Sequence, residues 1–239
     1  DENWGRYSFL GFDPIMEITC SEGFLRIRST NDEGTLGEKE MQVDHPNKEI
    51  RKILEKYRSP QMENMPPFTG GLVGYFSYDY LGYSEPMART NVKDTENFKD
   101  VDLMLFDKVI AFDNYRQKII LIVNMSLEEP ETGYNKAIFE LNKLKELLIN
   151  GEKKKYENGR LTGEVSALFS KEEFCSMVEK AKYHIKEGDI FQIVLSNRLS
   201  APFEGSLFNT YRHLRTINPS PYMFYFSGTD VEVAGASPE

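Results

Sequence analysis

The segment SKEEFCSMVEKAKYHIKEGDIFQIVLSNRLS, residues 170–200, encodes a complete helix and the chain that leaves it. Ser170 and Glu173 have the spacing of a capping box, in which each side chain accepts a hydrogen bond from a backbone N–H at the helix start. Gly188 can adopt the left-handed conformation that ends a helix, and Asp189 can hydrogen-bond within the turn that follows. Apolar residues at helical spacing between these ends predict a buried stripe; they are Phe174, Val178, Ala181 and Ile185.

An almost wholly apolar strand is predicted directly after this helix, at residues 190–195. Its residues favour β-structure on both faces, which is typical of a central strand covered on both sides. Gln192 is the exception, because a buried amide without hydrogen-bond partners costs about 1–3 kcal/mol. Two interpretations remain open: a core glutamine with satisfied hydrogen bonds, which this segment alone favours, and an amide that faces a polar cavity.

The composition describes a globular, acidic protein of 239 residues with 40% hydrophobic content and a net charge of −9. A chain of this length can bury roughly 70% of its unfolded surface. Its charge argues against a general binder of nucleic acid or of anionic membranes, because phosphate affinity requires clustered cations. No apolar run approaches the roughly 20 residues that cross a bilayer. The two cysteines lie far apart, which fits a reducing cytoplasm.

The rest of the chain predicts short strands, hairpins and a few covering helices. Three runs near the beginning predict an antiparallel meander, followed by an exposed turn at residues 31–40. The glycine- and aromatic-rich segment FTGGLVGYFSYDYLGY at residues 68–83 predicts backbone packed closely against backbone or a ligand. Strands in runs rather than in βαβ units predict an α+β fold, with antiparallel β-sheets packed in a layered sandwich and helices on the outside. The three runs of the meander are Tyr7–Phe12, Ile15–Cys20 and Phe24–Arg28.

The polar, lysine-bearing stretch after the helix predicted at residues 134–148 is the best candidate for a linker. We therefore predict three parts: an N-terminal α+β portion at residues 1–149, a linker or loop at 150–165, and a further portion at 166–239. Both ends of the sequence interrupt strand-like patterns, so we expect the chain to be a piece of a longer protein.

Residue types alone offer little catalytic chemistry. The sequence has no HExxH motif and no paired cysteine ligands, and its three histidines stand in unrelated contexts. His184 adjoins the apolar stripe of the helix and is interpreted as a surface or core residue.

Five motifs stand out along the chain: WGRYSFLGFDP at Trp4–Pro14, GGLVGYFSYDY at Gly70–Tyr80, EGDIFQIVLSNR at Glu187–Arg198, NPSPYMFYF at Asn218–Phe226 and GASPE at Gly235–Glu239. Taken in this order, they resemble the chorismate-using enzyme family. Within that family, the FQIV and SPYM segments are similar to the anthranilate synthase branch, component I, and the related aminodeoxychorismate synthase component I is the alternative. Isochorismate and salicylate synthases fit less well because they carry a lysine where this sequence has Gln192. A non-catalytic amino-acid-sensing module is a hypothesis of a different class.

The resemblance implies a lyase reaction in which chorismate is aminated at C2, loses its C4 hydroxyl and then eliminates pyruvate. Glu239 matches the family's acid beside the departing hydroxyl, and Gln192 would shape and polarise the site. Mg²⁺ would bind the substrate carboxylate, with ligands expected beyond residue 239 and none in this chain. The nitrogen would come from a partner glutamine amidotransferase subunit or from free ammonia, and the isolated chain is expected to be inactive.

The resemblance also implies feedback inhibition by L-tryptophan, bound by Pro221, Tyr222 and Met223. Two prolines stiffen this segment, while an aromatic ring and a thioether can pack an indole. Without the resemblance, the same residues read as the start of a strand with core aromatics.

Overall fold

The computed structural model describes residues 5–30, 35–88 and 96–237. The chain forms two compact units, Asp1–Lys153 and Lys154–Glu239. The three-part division predicted from the sequence, with its linker at residues 150–165, stays a prediction.

The first unit contains two antiparallel sheets. One has five strands in the order β4-β3-β2-β6-β5, and the other has three in the order β1-β7-β8. Short 3₁₀ turns follow β5 and α2. The elements are β1 Tyr7–Leu10, β2 Met16–Ser21, β3 Phe24–Thr30, β4 Leu36–Gln42, α1 Asn47–Lys56, β5 Gly71–Phe76, α2 Leu81–Ser84, β6 Val101–Phe106, β7 Lys108–Asp113, β8 Lys118–Val123 and α3 Pro130–Asn150.

One core cluster of this unit lies between the five-stranded sheet and α1. Ile18, Leu25 and Val101 are fully buried, and Ile50 of α1 packs into the same cluster. The helix α3 contacts β8 and is otherwise exposed, apart from buried positions such as Leu144. Helices therefore cover antiparallel sheets from outside, and the predicted α+β fold is confirmed.

The predicted meander is wrong in its first strand. Strand β1 pairs with β7, in the register Tyr7 with Asp113, and not with β2. The reason is that β2 already has a hydrogen-bonded neighbour on each side, β3 and β6. The sequence near β1 carries no signal for a partner about a hundred residues away.

The predicted exposed turn at residues 31–40 is also largely wrong, because β4 begins at Leu36 and forms the edge of the five-stranded sheet. Residues 31–34 lie outside the described residues. The strand is polar because its charges pair across to β3: Arg26 Nη2 lies 2.6 Å from Glu40 Oε1, and Arg28 Nε lies 3.0 Å from Glu38 Oε1. A polar edge strand also discourages pairing with another chain.

The glycine-rich segment forms β5, and the predicted close approach of backbone to backbone is confirmed at Gly74. This glycine has a φ of +156° and pairs with Leu103. A Cβ atom added to it would collide with the carbonyl oxygen of Asp102 and lie 2.9 Å from the Leu103 Cα. Only glycine fits here without backbone movement.

The second unit contains three two-stranded sheets and two helices. The sheets pair β9 with β12, β10 with β11 and β13 with β14, all antiparallel. Its elements are β9 Arg160–Leu161, β10 Ser166–Ala167, α4 Lys171–Glu187, β11 Leu199–Ser200, β12 Phe203–Glu204, α5 Leu207–Ile217, β13 Tyr222–Ser227 and β14 Glu232–Ser237.

The ends of α4 are as the sequence predicts. Ser170 Oγ accepts from Glu173 N at 3.2 Å, and Glu173 Oε2 accepts from Ser170 N at 2.8 Å. This second bond is the main reason why the pKa of the Glu173 carboxyl is lowered. Gly188 is left-handed, with φ +82°. The apolar stripe is less buried than predicted, since only Ala181 is buried and Ile185 is 42% exposed.

The strand predicted at residues 190–195 is not formed. These residues are irregular and carry no ladder to another strand of the described chain, and the Phe191 side chain is fully exposed. A strand requires a hydrogen-bonded neighbour, which strand-favouring side chains cannot supply by themselves. Among the described residues, no helix combines the length and the apolar character needed to cross a membrane.

Candidate functional site

The hairpin of β13 and β14 carries the residues predicted to bind tryptophan. Tyr222 pairs with Ser237 and Met223 pairs with Ala236, while Pro221 immediately precedes the hairpin. Ser220 Oγ donates to the carbonyl oxygen of Tyr222 at 3.0 Å, which fixes the turn into the strand. The structure therefore brings the three predicted residues together at the beginning of one strand.

One face of this hairpin packs against α5. The ring of Tyr225 meets Phe208 edge-on at 5.2 Å between centroids and lies 5.9 Å from Tyr211. Burial raises the pKa of the Tyr225 hydroxyl, and the 2.9 Å hydrogen bond that it donates to Glu232 raises it further. These aromatic contacts hold the hairpin on the helix.

The opposite face of the hairpin is open. Tyr222 and Phe224 share this face and are 50% and 48% exposed. The ring of Phe224 lies over Gly235 of the paired strand, at the place where a Cβ atom would stand. The face therefore presents aromatic rings over a small residue, a surface able to contact a flat ring.

Tyr222 and Met223 point to opposite faces, because successive side chains alternate along a strand. Met223 shares the face of Tyr225, which packs on α5, and is half-buried. The two side chains therefore belong to different faces of the hairpin. The sequence did not predict this separation, although strand alternation already implies it.

Whether the two predicted catalytic residues meet in one site stays a prediction. Gln192 is exposed in the irregular segment after α4, so the interpretation as a buried core glutamine is wrong. Glu239 lies outside the described residues. The ladder of the hairpin ends at Ser237, two residues before it in the sequence.

A histidine–carboxylate pair that sequence reasoning passed over stands just before Gln192. His184 Nδ1 and Asp189 Oδ2 are 2.7 Å apart, across the turn that ends α4. The signal was present in the sequence as a histidine and an aspartate on either side of the glycine that terminates the helix. His184 was instead interpreted as a surface or core residue.

The described residues do not fit a metal site. Nowhere in residues 5–30, 35–88 and 96–237 do three histidine, cysteine, aspartate or glutamate side chains converge as metal ligands would.

Comparisons with known proteins give a consistent result. The sequence matches the model of the chorismate binding enzyme family over residues 10–239. It is 34% identical to anthranilate synthase component 1 of Acetivibrio thermocellus, over 100% of this chain and 49% of that protein. Component 1 of Aquifex aeolicus is 36% identical, over 100% of this chain and 48% of that protein.

A solved structure is also similar to this chain. Anthranilate synthase component I from Streptococcus pneumoniae TIGR4 superimposes with a TM-score of 0.73 at 28% sequence identity, over 98% of this chain and 51% of that one. The chain spans about half the length of the relatives that it matches.

Proposed function

Because the chain belongs to the chorismate binding enzyme family, we propose that the whole protein is the large subunit of anthranilate synthase. It would convert chorismate and ammonia to anthranilate and pyruvate, a step of tryptophan biosynthesis, in the cytoplasm. The observation that carries this proposal is the match over the full chain to relatives named anthranilate synthase component 1, at 34% and 36% identity.

The proposed role of Gln192 follows from the use of ammonia, and not water, as the nucleophile. Ammonia carries a free lone pair and needs no strong base, whereas a water nucleophile does. A glutamine can therefore stand where water-using relatives require lysine. Its amide would donate and accept hydrogen bonds and so polarise the site without taking a proton.

The proposed role of Glu239 is that of a general acid beside the departing C4 hydroxyl. A carboxyl group in this role must keep its proton near neutrality, which requires burial or a neighbouring anion. General-acid assistance contributes about 10²–10⁴-fold to a rate.

Magnesium and the amidotransferase are further parts of the proposal. The ion would neutralise the substrate carboxylate, with ligands from residues outside this chain. The nitrogen would come from a glutamine amidotransferase subunit bound to the whole protein, and free ammonia would replace that subunit in vitro.

The test of this function is product identification with the full-length protein, chorismate, ammonium salt and Mg²⁺. Anthranilate, identified by its fluorescence and by its mass, is the expected product, with one equivalent of pyruvate. Aminodeoxychorismate without pyruvate would establish the alternative within the family. Tryptophan binding without any turnover would establish the sensing module. Residues 1–239 alone are expected to form no product.

The proposed tryptophan site gives a prediction for Met223. We expect Met223→Thr in the full-length protein to raise the tryptophan concentration for half inhibition by about 10-fold, because loss of a packed thioether costs on the order of 1 kcal/mol or more. Inhibition curves at fixed chorismate measure this shift.

The matched control is Tyr225→Phe, which removes only a hydroxyl from the same face of β13 and is expected to leave the curve within about 2-fold. An unaltered curve for Met223→Thr would place the effector site elsewhere. The companion variant Tyr222→Ala tests whether the open face of the hairpin affects inhibition. Tyr222 is suited to this because its side chain and that of Met223 lie on opposite faces of the sheet.

A further inference from the structure

The sequence contains the dipeptide Asn-Gly twice, at Asn150 with Gly151 and at Asn158 with Gly159. In this dipeptide the asparagine side chain reacts readily with the next backbone nitrogen, because glycine has no side chain to obstruct the approach. The two sites stand in different local structures. The fold can therefore make one of them much more reactive than the other.

The reaction is a spontaneous deamidation. The backbone nitrogen of the glycine loses its proton and attacks the side-chain carbon Cγ of the asparagine. A new C–N bond closes a five-membered succinimide ring, and the bond between Cγ and Nδ2 breaks with release of ammonia. Water then opens the ring at either of its two carbonyl carbons and gives aspartate or isoaspartate. Ring closure requires the nitrogen and Cγ to meet, so it depends on how firmly the backbone is held.

Asn150 is held against this reaction. It is the last residue of the 21-residue helix α3, and Gly151 N donates to the carbonyl oxygen of Leu147 at 3.0 Å. The amide group that would leave is engaged as well, since Asn150 Nδ2 donates to Glu146 Oε1 at 2.6 Å. Attack by the Gly151 nitrogen therefore requires the last turn of the helix to open first.

Asn158 is held by fewer contacts. It is exposed, and an isolated bridge pairs its backbone with Ser206. Its side-chain oxygen accepts a long hydrogen bond of 3.4 Å from Asn209 Nδ2. Negative charge develops on this oxygen when the Gly159 nitrogen attacks, and a donor directed at the oxygen favours that step. The surroundings of Asn158 thus permit the reaction that α3 opposes at Asn150.

The packing around Gly159 explains why glycine stands at this position. A Cβ atom added there would lie 2.5 Å from Phe203 Cζ and 2.7 Å from Thr210 Oγ1, so both side chains would have to move. A larger residue would slow the ring closure but would disturb this contact. The requirement for glycine therefore keeps the reactive dipeptide in the chain.

We propose that Asn158 is a modification site of this protein, converted to aspartate and isoaspartate by ring closure with Gly159, whereas Asn150 is protected by α3. Water is the only co-reactant. The inference does not depend on the proposed function of the protein.

Isoaspartate would lengthen the backbone at the point where α5 begins, because it carries one additional backbone atom. Ser206 N donates to the carbonyl oxygen of Glu157 at 3.2 Å, and Ser206 Oγ caps α5 by accepting from Phe208 N at 3.2 Å. Gly205 packs so closely that an added Cβ would collide with the carbonyl oxygen of Asn158. Backbone packed this tightly has no room for a further atom. We therefore expect isoaspartate, but not aspartate, to displace the start of α5.

The first experiment is peptide mapping by mass spectrometry of the full-length protein after incubation in mildly alkaline buffer, which favours loss of the proton from the attacking nitrogen. Deamidation is expected to be about 10-fold faster at Asn158 than at Asn150, because ring closure at Asn150 requires local opening of the helix. In concentrated urea the two rates should agree within about 2-fold, because a denatured chain keeps only fluctuating local structure. Equal rates in the folded protein, or a difference that persists in urea, would overturn the proposal.

The second experiment compares urea unfolding before and after the same incubation. The unmodified protein is expected to show a lower midpoint once isoaspartate has accumulated at position 158. Asn158→Gln is the matched control, because its longer side chain closes a ring much more slowly, and its midpoint should not change. Freshly prepared Asn158→Asp measures the effect of the charge alone and should keep the original midpoint. A constant midpoint of the unmodified protein at high conversion to isoaspartate would contradict the expected displacement of α5.

Discussion

Replacing Glu239 by glutamine in the full-length protein is expected to lower the rate of anthranilate formation by about 10²–10⁴-fold. Glutamine keeps the size of the side chain and its hydrogen-bonding capacity, but it has no proton to give to the departing hydroxyl. Binding of chorismate should therefore change little, and the loss should fall on kcat. Steady-state kinetics together with a separate measurement of the chorismate Kd distinguish the two effects.

The control for this variant is Glu232→Gln. Glu232 stands at the beginning of β14, on the strand that leads towards Glu239, and accepts a hydrogen bond from Tyr225 at 2.9 Å. Glutamine can accept the same bond, so activity should stay within about 2-fold. Undiminished turnover in Glu239→Gln would remove Glu239 from its proposed role as the acid.

The second large effect that we expect is a loss of stability in the variant Gly74→Ala. The added Cβ would collide with the carbonyl oxygen of Asp102 on the neighbouring strand β6, and alanine would also have to hold a φ of +156°. Backbone strain of this kind costs about 1–3 kcal/mol, and the backbone shift that relieves the collision costs about the same. We therefore expect a loss of about 2–5 kcal/mol, measured as a lower midpoint in urea unfolding of the full-length protein.

Gly37→Ala is the matched control within the same sheet. Gly37 lies on the edge strand β4, and its nearest neighbour for an added Cβ is the mobile hydroxyl of Ser29 at 3.3 Å. The free energy of unfolding of the Gly37→Ala variant should change by less than about 0.5 kcal/mol, as for most surface substitutions. A midpoint for Gly74→Ala equal to that of the control would show that β5 and β6 do not approach each other as closely as described.

The features that the sequence predicted well are those decided by neighbouring residues. The capping box at Ser170 and Glu173 and the left-handed turn at Gly188 depend on side chains within a few positions of the backbone groups that they satisfy. The β13–β14 hairpin also depends on neighbouring residues, because a short polar turn joins its two strands. Local chemistry therefore determined both ends of α4 and the hairpin.

The predictions that were wrong concern features that depend on residues far apart in the chain. The partner of β1 is β7, about a hundred residues later, and nothing near Tyr7 specifies it. The polar residues 36–42 form a strand because arginines on β3 compensate their charges. Residues 190–195 have the side chains of a strand, but within residues 5–30, 35–88 and 96–237 no other strand is hydrogen-bonded to them. In each case the deciding interaction was tertiary.

The candidate site was predictable only in part. Residue types and spacing identified Gln192 as unusual, but its role and that of Glu239 came from the resemblance to chorismate-using enzymes. The opposite orientations of Tyr222 and Met223 follow from the strand that they occupy. The hydrogen bond between His184 and Asp189 follows from their positions on either side of Gly188, because the left-handed turn brings the two ends together.

The most direct test of the central claim is a crystal structure of the full-length Glu239→Gln variant grown with chorismate and Mg²⁺. The central claim is that the segment after α4 and the end of the β13–β14 hairpin form two walls of one chorismate pocket. We predict that the amide of Gln192 and the side chain at position 239 both lie within about 4 Å of the bound ring. Chorismate bound elsewhere, or the two side chains opening onto separate surfaces, would contradict the assignment of this chain to chorismate chemistry.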